Sequence, residues 1–326
     1  MAFANVTDIV ATTIEKRSRK IADSVTKHNL LLAKLSQKGN IRPVSGGSLI
    51  FEELSFAENG NGGAYSGYDL LPTAAQDVIS AAQYNFKQYA VPVVISGLEQ
   101  LQNSGPEAMM DLMEKRLGVA EATMKNLITQ GLYGDGTGYN GKAITGLDAA
   151  IPTTAKASQT DTYGGISRST WSFWRTSTTT GQDISTAAKC QAVMNTQWAT
   201  QLRGADRPDL IIMDSVYWAD YLASLQAIQR FTDPKAADLG FPTIKYMDAD
   251  VGVDGGIGGF ATANTAYFLN TNYIFYRPHK DRNMVPLSPN RRYSVNQDAE
   301  VQILAWAGNL TTSGAQFQGR SIATSV

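Results

Sequence analysis

Apolar positions in PEAMMDLMEKRLGVAEATMKNLITQGLYG recur with helical period, because Met109, Met113, Leu117, Ala120, Met124, Leu127 and Ile128 fall on one stripe. Pro106, a residue favoured at the first helical position, follows Ser104 and Gly105, and Gly131 stands where a helix end wants a left-handed residue. The pattern predicts a helix over residues 106–130, roughly 37 Å long at the helical rise. Upstream the period changes to two. SLIFEELSF and AAQYNFKQYAVPVVIS are rich in Phe, Tyr, Val and Ile, and the second alternates, with Tyr84 and Phe86 on one face and Asn85 and Lys87 on the other. Between them lies AENGNGGAYSGYDLLPTAAQD, a polar, glycine-rich tip. Together they predict a long hairpin over residues 46–96, whose arm from Ser80 to Ser96 would reach roughly 50 Å. A two-stranded hairpin is marginal in water, so such an arm must lie on something, and a neighbouring copy of the chain is the expected support.

Residues 184–285 have another texture. A helical pattern from Ala188 to Leu202, a break at Arg207-Pro208-Asp209, the apolar run LIIM, and a helical pattern from Ser215 through Tyr217, Tyr221, Leu225 and Ile228 read as an α/β unit. Asp214 or Ser215 would cap the second helix. The strands TIKYMDA, TAYFLN and NYIFYRP follow. The unit reads as a compact domain inserted into another one, with hinges at 176–183 and 286–289. The C-terminal pieces RRYSVNQ and AEVQILAWAG supply strands on which the long helix can pack.

Composition narrows the function. A chain of 326 residues with 43% hydrophobic content can bury a substantial core, and its 28 basic and 29 acidic side chains leave a net charge of −1. No overall cationic field marks nucleic acid or anionic lipid as a tight partner. The single cysteine, Cys190, rules out an intrachain disulfide framework and sits in the helical pattern KCQAVMNTQWATQL as a small core hydrophobe. The N-terminus has its basic cluster, EKRSRK at 15–20, after its mildly apolar part, unlike a secretory signal, and no apolar run approaches the length of a membrane span. That basic cluster reads equally as a solvated helix face or a phosphate contact.

Candidate chemistry is sparse. GDGTGYNGKA, residues 134–143, holds Gly136, Gly141 and Lys142 at phosphate-loop spacing, but Ala143 stands where a magnesium-binding hydroxyl belongs. The motif follows a predicted helix, whose carbonyl end repels phosphate. His28 and His279 have no ligand spacing, and no nucleophile elbow occurs. Asp248, Asp250 and Asp254 break the calcium-loop pattern, with Gly252 and Val253 at its fifth and sixth positions and Gly259 at its twelfth. No catalytic, cofactor-binding or metal-binding residue is assigned, and the chain reads as no enzyme.

The order of parts resembles the major capsid proteins of tailed bacteriophages, with the fold named after phage Hong Kong 97. The marks of the resemblance are LYGDGTGYNGKAITGL after the helix, RPDLIIMDSVYWADYL in the inserted unit and the closing NLTTSGAQFQGR. It covers nearly the whole chain. It implies an α+β chain with an N-terminal arm (1–45), an extended hairpin loop (46–96), a peripheral domain (97–183 and 286–326) built on a spine helix, and an inserted axial domain (184–285). The implied function is self-assembly into pentamers and hexamers of an icosahedral phage head enclosing double-stranded DNA, in the virion after assembly in the host cytoplasm. Partners implied are further copies of the chain, a portal protein, a separate scaffolding protein, since only about forty residues precede the loop, and a decoration protein; DNA contact would be weak and non-specific, and no membrane is involved. An encapsulin-like nanocompartment shell is the alternative within this architecture, and a nucleotide-binding enzyme rests on Gly136 to Lys142 alone. Phe51, Tyr65, Tyr68, Tyr84, Phe86 and Tyr89 are the expected assembly contacts, each readable also as ordinary strand packing. Some relatives cross-link a loop lysine to a neighbour's asparagine, and Lys87 lies on a loop strand.

Overall fold

A 14-residue strand, Ala299–Thr312, runs through the centre of a four-stranded sheet and organises the chain around it. The computed structural model describes residues 29–102, 106–225, 243–255, 259–287, 292–293 and 299–325. The basic cluster at 15–20, His28 and Ile228 lie outside the described residues.

In chain order the first elements are α1 (Leu30–Gln37), β1 (Leu49–Ser55), β2 (Ile79–Asn85) and β3 (Lys87–Ser96). Helices α2 (Gly97–Gln102) and α3 (Pro106–Tyr133) follow. Asn29 starts α1, its Oδ1 accepting the N–H groups of Leu31 and Leu32 at 2.8 and 3.3 Å, and the helix buries Leu30, Leu31, Leu32 and Leu35. Helix α3 begins on the expected proline, and Leu117, Ala120, Met124 and Ile128 of its stripe are buried. It continues three residues past the expected end. Gly131 is no terminator: a Cβ there would meet the Tyr89 hydroxyl at 2.7 Å, so the glycine serves close packing inside the helix.

The remaining elements are α4 (Leu147–Ala150), β4 (Thr162–Tyr163), β5 (Ile166–Ser167), β6 (Ser177–Asp183), α5 (Ala187–Gln201), β7 (Leu210–Met213) and α6 (Ser215–Ser224). Strands β8 (Thr243–Tyr246), β9 (Ala249–Val253), β10 (Thr265–Leu269), β11 (Ile274–Pro286), β12 (Arg292–Tyr293), β13 (Ala299–Thr312) and β14 (Gly319–Ser325) complete the chain. A six-stranded sheet runs β6-β14-β10-β7-β9-β8, with β6–β14 and β7–β9 parallel and the other pairs antiparallel. The run LIIM is β7 and is buried on both faces. Leu210 and Ile212 join one core with Trp306 and Met124, while Ile211 and Met213 join a second with Cys190, Met194 and Trp198 of α5 and Tyr217 and Tyr221 of α6. Asp214 caps α6 by accepting the Val216 N–H.

Three features depart from the sequence pattern. The arm from Ser80 to Ser96 is not one hairpin strand. It breaks at Phe86: β2 pairs with β1 from Leu49↔Asn85 to Ser55↔Ile79, while β3 joins the four-stranded sheet, from Gly308↔Lys87 to Ala299↔Ser96. The cause is a slip in parity. Ala82 and Tyr84 are buried on even positions, and Tyr89, Val93 and Ile95 on odd ones, so one straight strand cannot bury both sets. Strand β11, placed by sequence with the α/β unit, pairs instead with β13, and the terminal strand β14 crosses into the six-stranded sheet between β6 and β10.

Candidate assembly surface

The hairpin divides into a root held by its own chain and a tip that is not. In the root, Ile50, Glu52 and Leu54 of β1 alternate inward, with Ala82 and Tyr84 of β2 beside them. Glu52 is a buried carboxylate at an apolar parity, and it is paired: Arg277 of β11 donates Nε and Nη2 to its two oxygens at 2.6 and 2.7 Å, and the Thr311 hydroxyl donates at 2.7 Å. Bidentate geometry and a third donor satisfy a charge that would otherwise be costly to bury. The Tyr84 hydroxyl donates to the Thr312 carbonyl at 2.8 Å, and its ring meets Tyr163 edge-on. Burial pushes this phenol well above its ordinary pKa. Gly164, at φ +59°, sits where a Cβ would come within 3.0 Å of the Tyr84 ring.

The six expected contact residues thus separate. Tyr84 and Tyr89 are buried in the chain's own core, Tyr89 stacking on Trp306 and accepting the Ile144 N–H at 3.1 Å, with burial raising its pKa. Phe86 is half-buried edge-on against His279. Phe51 is 54% exposed, Tyr65 is 67% exposed and Tyr68 is wholly exposed. The tip, residues 57–78, forms neither helix nor strand. Its order comes from local turns, in which Asn59 Oδ1 accepts the Asn61 N–H and Asp69 Oδ2 accepts the Ser66 N–H. Leu70, 98% exposed, and Leu71 extend the apolar set.

At the root, Phe56 packs on Trp171 and Phe173. Beside them lies a cleft of about 630 Å³ lined by Glu53, Phe173, Arg203, Asp206, Tyr273 and Phe317, among others.

The glycine motif leaves the carbonyl end of α3, which disfavours an anion, and several of its backbone donors are taken internally: Thr137 N–H by Asp135 Oδ1, Gly141 N–H by Thr137 O and Ala143 N–H by Gly138 O. Lys87 donates to the Gly141 carbonyl. Gly146 is required by close approach, since a Cβ would sit 2.3 Å from the Gly131 carbonyl, and it lets Ile144 and Leu147 fold back under the helix end. The acids of 248–254 serve separate partners. Asp248 pairs with Arg207 at 2.9 Å, Asp250 with Lys34, and Asp254 accepts from Asn29 and Tyr133. Among the described residues no cluster fit for a metal ion occurs. Cys190 is buried and its thiol is pushed up to about 11 by desolvation.

Sequence reasoning missed Glu52, Arg277 and a half-buried acid, Asp148, which accepts from Tyr267, Thr262 and fully buried Arg320. For Glu52 a signal existed, its parity with Ile50 and Leu54; its partner, 225 residues away, had none.

No protein-family model matches the chain, and no curated protein does. Solved structures do. The chain is similar to the cyanophage A-1(L) capsid asymmetric unit, at TM-score 0.62 and 17% identity over 87% of this chain and 90% of that one. It is similar to a structure from Mycobacterium phage Bobi, at TM-score 0.56 and 11% identity over 89% and 90%. A holo encapsulin complex from Synechococcus elongatus follows at TM-score 0.50 and 7% identity over 87% and 84%. The fold is that of tailed-phage capsid shells.

Proposed function

We propose that this chain is the major shell protein of a tailed-phage head, assembling with itself into pentamers and hexamers around double-stranded DNA. The supporting observation is the tip: a segment without helix or strand whose large apolar side chains are exposed, on a fold shared with capsid shells. In this reading α3 is the spine helix of a peripheral domain, the unit around β7, α5 and α6 is the axial domain, and the residues before β1 are the N-terminal arm. The role is structural, performed at interfaces, in the virion after assembly in the host cytoplasm. Portal, scaffolding and decoration proteins are its further partners.

The free energy that closes a shell comes from many repeated interfaces, each with a modest surplus over lost rotational and translational freedom. The encapsulin reading shares the fold, but the phage shells match with higher TM-scores. Electron microscopy of the expressed chain tests the proposal, with closed particles expected; nuclease-protected DNA in particles from infected cells supports the head, and a packaged enzyme in place of DNA supports the nanocompartment. A protein that stays monomeric at high concentration, with and without a scaffolding partner, overturns both.

A further inference from the structure

The chain contains three Asn-Gly pairs, Asn59-Gly60, Asn61-Gly62 and Asn140-Gly141, all within described segments. Such a pair can react with itself. The backbone nitrogen that follows an asparagine can attack the side-chain amide carbon and close a five-membered ring, and glycine, lacking a Cβ, hinders that attack least. Ring closure needs a backbone N–H free to lose its proton, a carboxamide free to turn onto it, and a backbone torsion that brings the two together. The fold meets these demands unequally.

Asn140 meets neither the first nor the last. Its backbone is left-handed, with φ 57° and ψ 46°, and at that ψ the Gly141 nitrogen lies nearly anti to the Asn140 Cβ about the Cα–C bond. The turn is fixed by the Gly141 N–H on the Thr137 carbonyl at 2.9 Å and by Lys87, which donates to the Gly141 carbonyl. Asn61 is half-buried, and both of its reacting groups are engaged. Its Nδ2 donates to the Ala74 carbonyl at 2.5 Å, and the Gly62 N–H donates to the Asn59 carbonyl at 3.0 Å.

Asn59 differs on each count. It is exposed and lies outside helix and strand, and the Gly60 N–H has no acceptor among the described residues. Around Gly60, the position of a Cβ has only the Gln76 carboxamide within 4 Å, at 3.5 Å and beyond, so no backbone crowds the ring. The hydrogen bond that the Asn59 side chain does make favours reaction. Its Oδ1 accepts the Asn61 N–H at 3.0 Å, a donor already aimed at the oxygen that becomes negative when the nitrogen adds to the carbonyl.

We infer that Asn59 is a site of spontaneous deamidation, set apart from the other two pairs by the turn in which it sits. Hydroxide removes the Gly60 amide proton, and the nitrogen attacks Asn59 Cγ, with the Asn61 N–H holding the oxyanion. The Cγ–Nδ2 bond then breaks and ammonia leaves, giving a cyclic imide. Water adds to one of its two carbonyls and opens the ring to aspartate or isoaspartate. The net reaction takes up one water and releases one ammonia, with no change of oxidation state. Residues 57–78 hold Glu58, Asp69 and Asp77 and no lysine, arginine or histidine, so the product adds a fourth uncompensated carboxylate to the tip. This inference stands on the chemistry of the turn and does not rest on the shell reading.

The test is incubation of the native full chain, as dispersed subunits, in mildly alkaline buffer, followed by peptide mapping with mass detection of the ammonia-for-water exchange and of isoaspartate. Asn59 should convert at least about tenfold faster than Asn61 or Asn140, while in urea the three rates should draw together. Gly60→Ala, whose added methyl the site can hold, should slow conversion at residue 59 about tenfold and leave urea unfolding unchanged. Native rates at Asn61 or Asn140 that equal the rate at Asn59, or a rate at Asn59 that Gly60→Ala does not change, would overturn the assignment.

Discussion

The root and the tip of one hairpin make opposite use of similar residues. In the root, aromatic and aliphatic side chains alternate into the core, and even the misplaced carboxylate, Glu52, is held by Arg277 and Thr311. In the tip, Tyr65, Tyr68, Leu70 and Leu71 face water, and local turns set the backbone. Packing within the single chain therefore accounts for the side chains of the root and leaves the large apolar side chains of the tip exposed. Residues that cost free energy to expose and gain nothing within their own chain point to a state in which something else covers them.

That contrast can be broken by substitution. The largest effect on subunit stability belongs to the root: Glu52→Ala or Arg277→Ala leaves a buried charge unpaired and should cost about 3–5 kcal/mol in urea unfolding of dispersed subunits. Replacing both by leucine should recover much of that loss, which separates the cost of an orphaned charge from the worth of the pair. Next, Tyr84→Phe removes the bond to the Thr312 carbonyl and should cost about 1 kcal/mol. In the tip, Tyr65→Ser with Tyr68→Ser should change subunit stability by no more than about 0.5 kcal/mol, yet abolish closed particles in electron microscopy. Deleting residues 57–78 should do the same, because strand pairing ends at Ser55↔Ile79. A stability loss in the tip as large as that in the root would erase the distinction. Smallest is the effect at Cys190. With its thiol raised to about 11, labelling by a disulfide reagent at pH 8 should proceed only as fast as the subunit opens. Fast labelling of the native chain would show that the core around α5 is not closed. The linked sign is that stability from this group is intact below the unfolded thiol pKa and falls as pH rises toward 11.

Much of the fold was readable where one period dominates a long stretch. Helix α3 announced itself through Pro106 and its stripe, and LIIM read as a buried strand because four apolar residues in a row leave no solvated face. Its end was misplaced because Gly131, which looks like a terminator, answers to the Tyr89 hydroxyl across the core. The length of the hairpin was overestimated for a related reason. Alternation identifies a strand but not its partner, and the parity slip around Phe86, where the chain passes from one sheet to another, is a single residue wide. Strands β11 and β14 show the same limit, since sheet membership depends on contacts between residues far apart in sequence. Of the expected contact residues, Phe51, Tyr65 and Tyr68 face outward while Tyr84 and Tyr89 belong to the core, a difference that composition does not encode.

Hydroxyl-radical footprinting of the full chain, read at Tyr68 and Tyr84 in dispersed subunits and in assembled particles, compares the two regions in one experiment. Tyr84 should be protected in both states, and Tyr68 should go from fully reactive to strongly protected on assembly. If Tyr68 reacts as fast in the closed particle as in the free subunit, no sister copy covers the tip and the account is wrong.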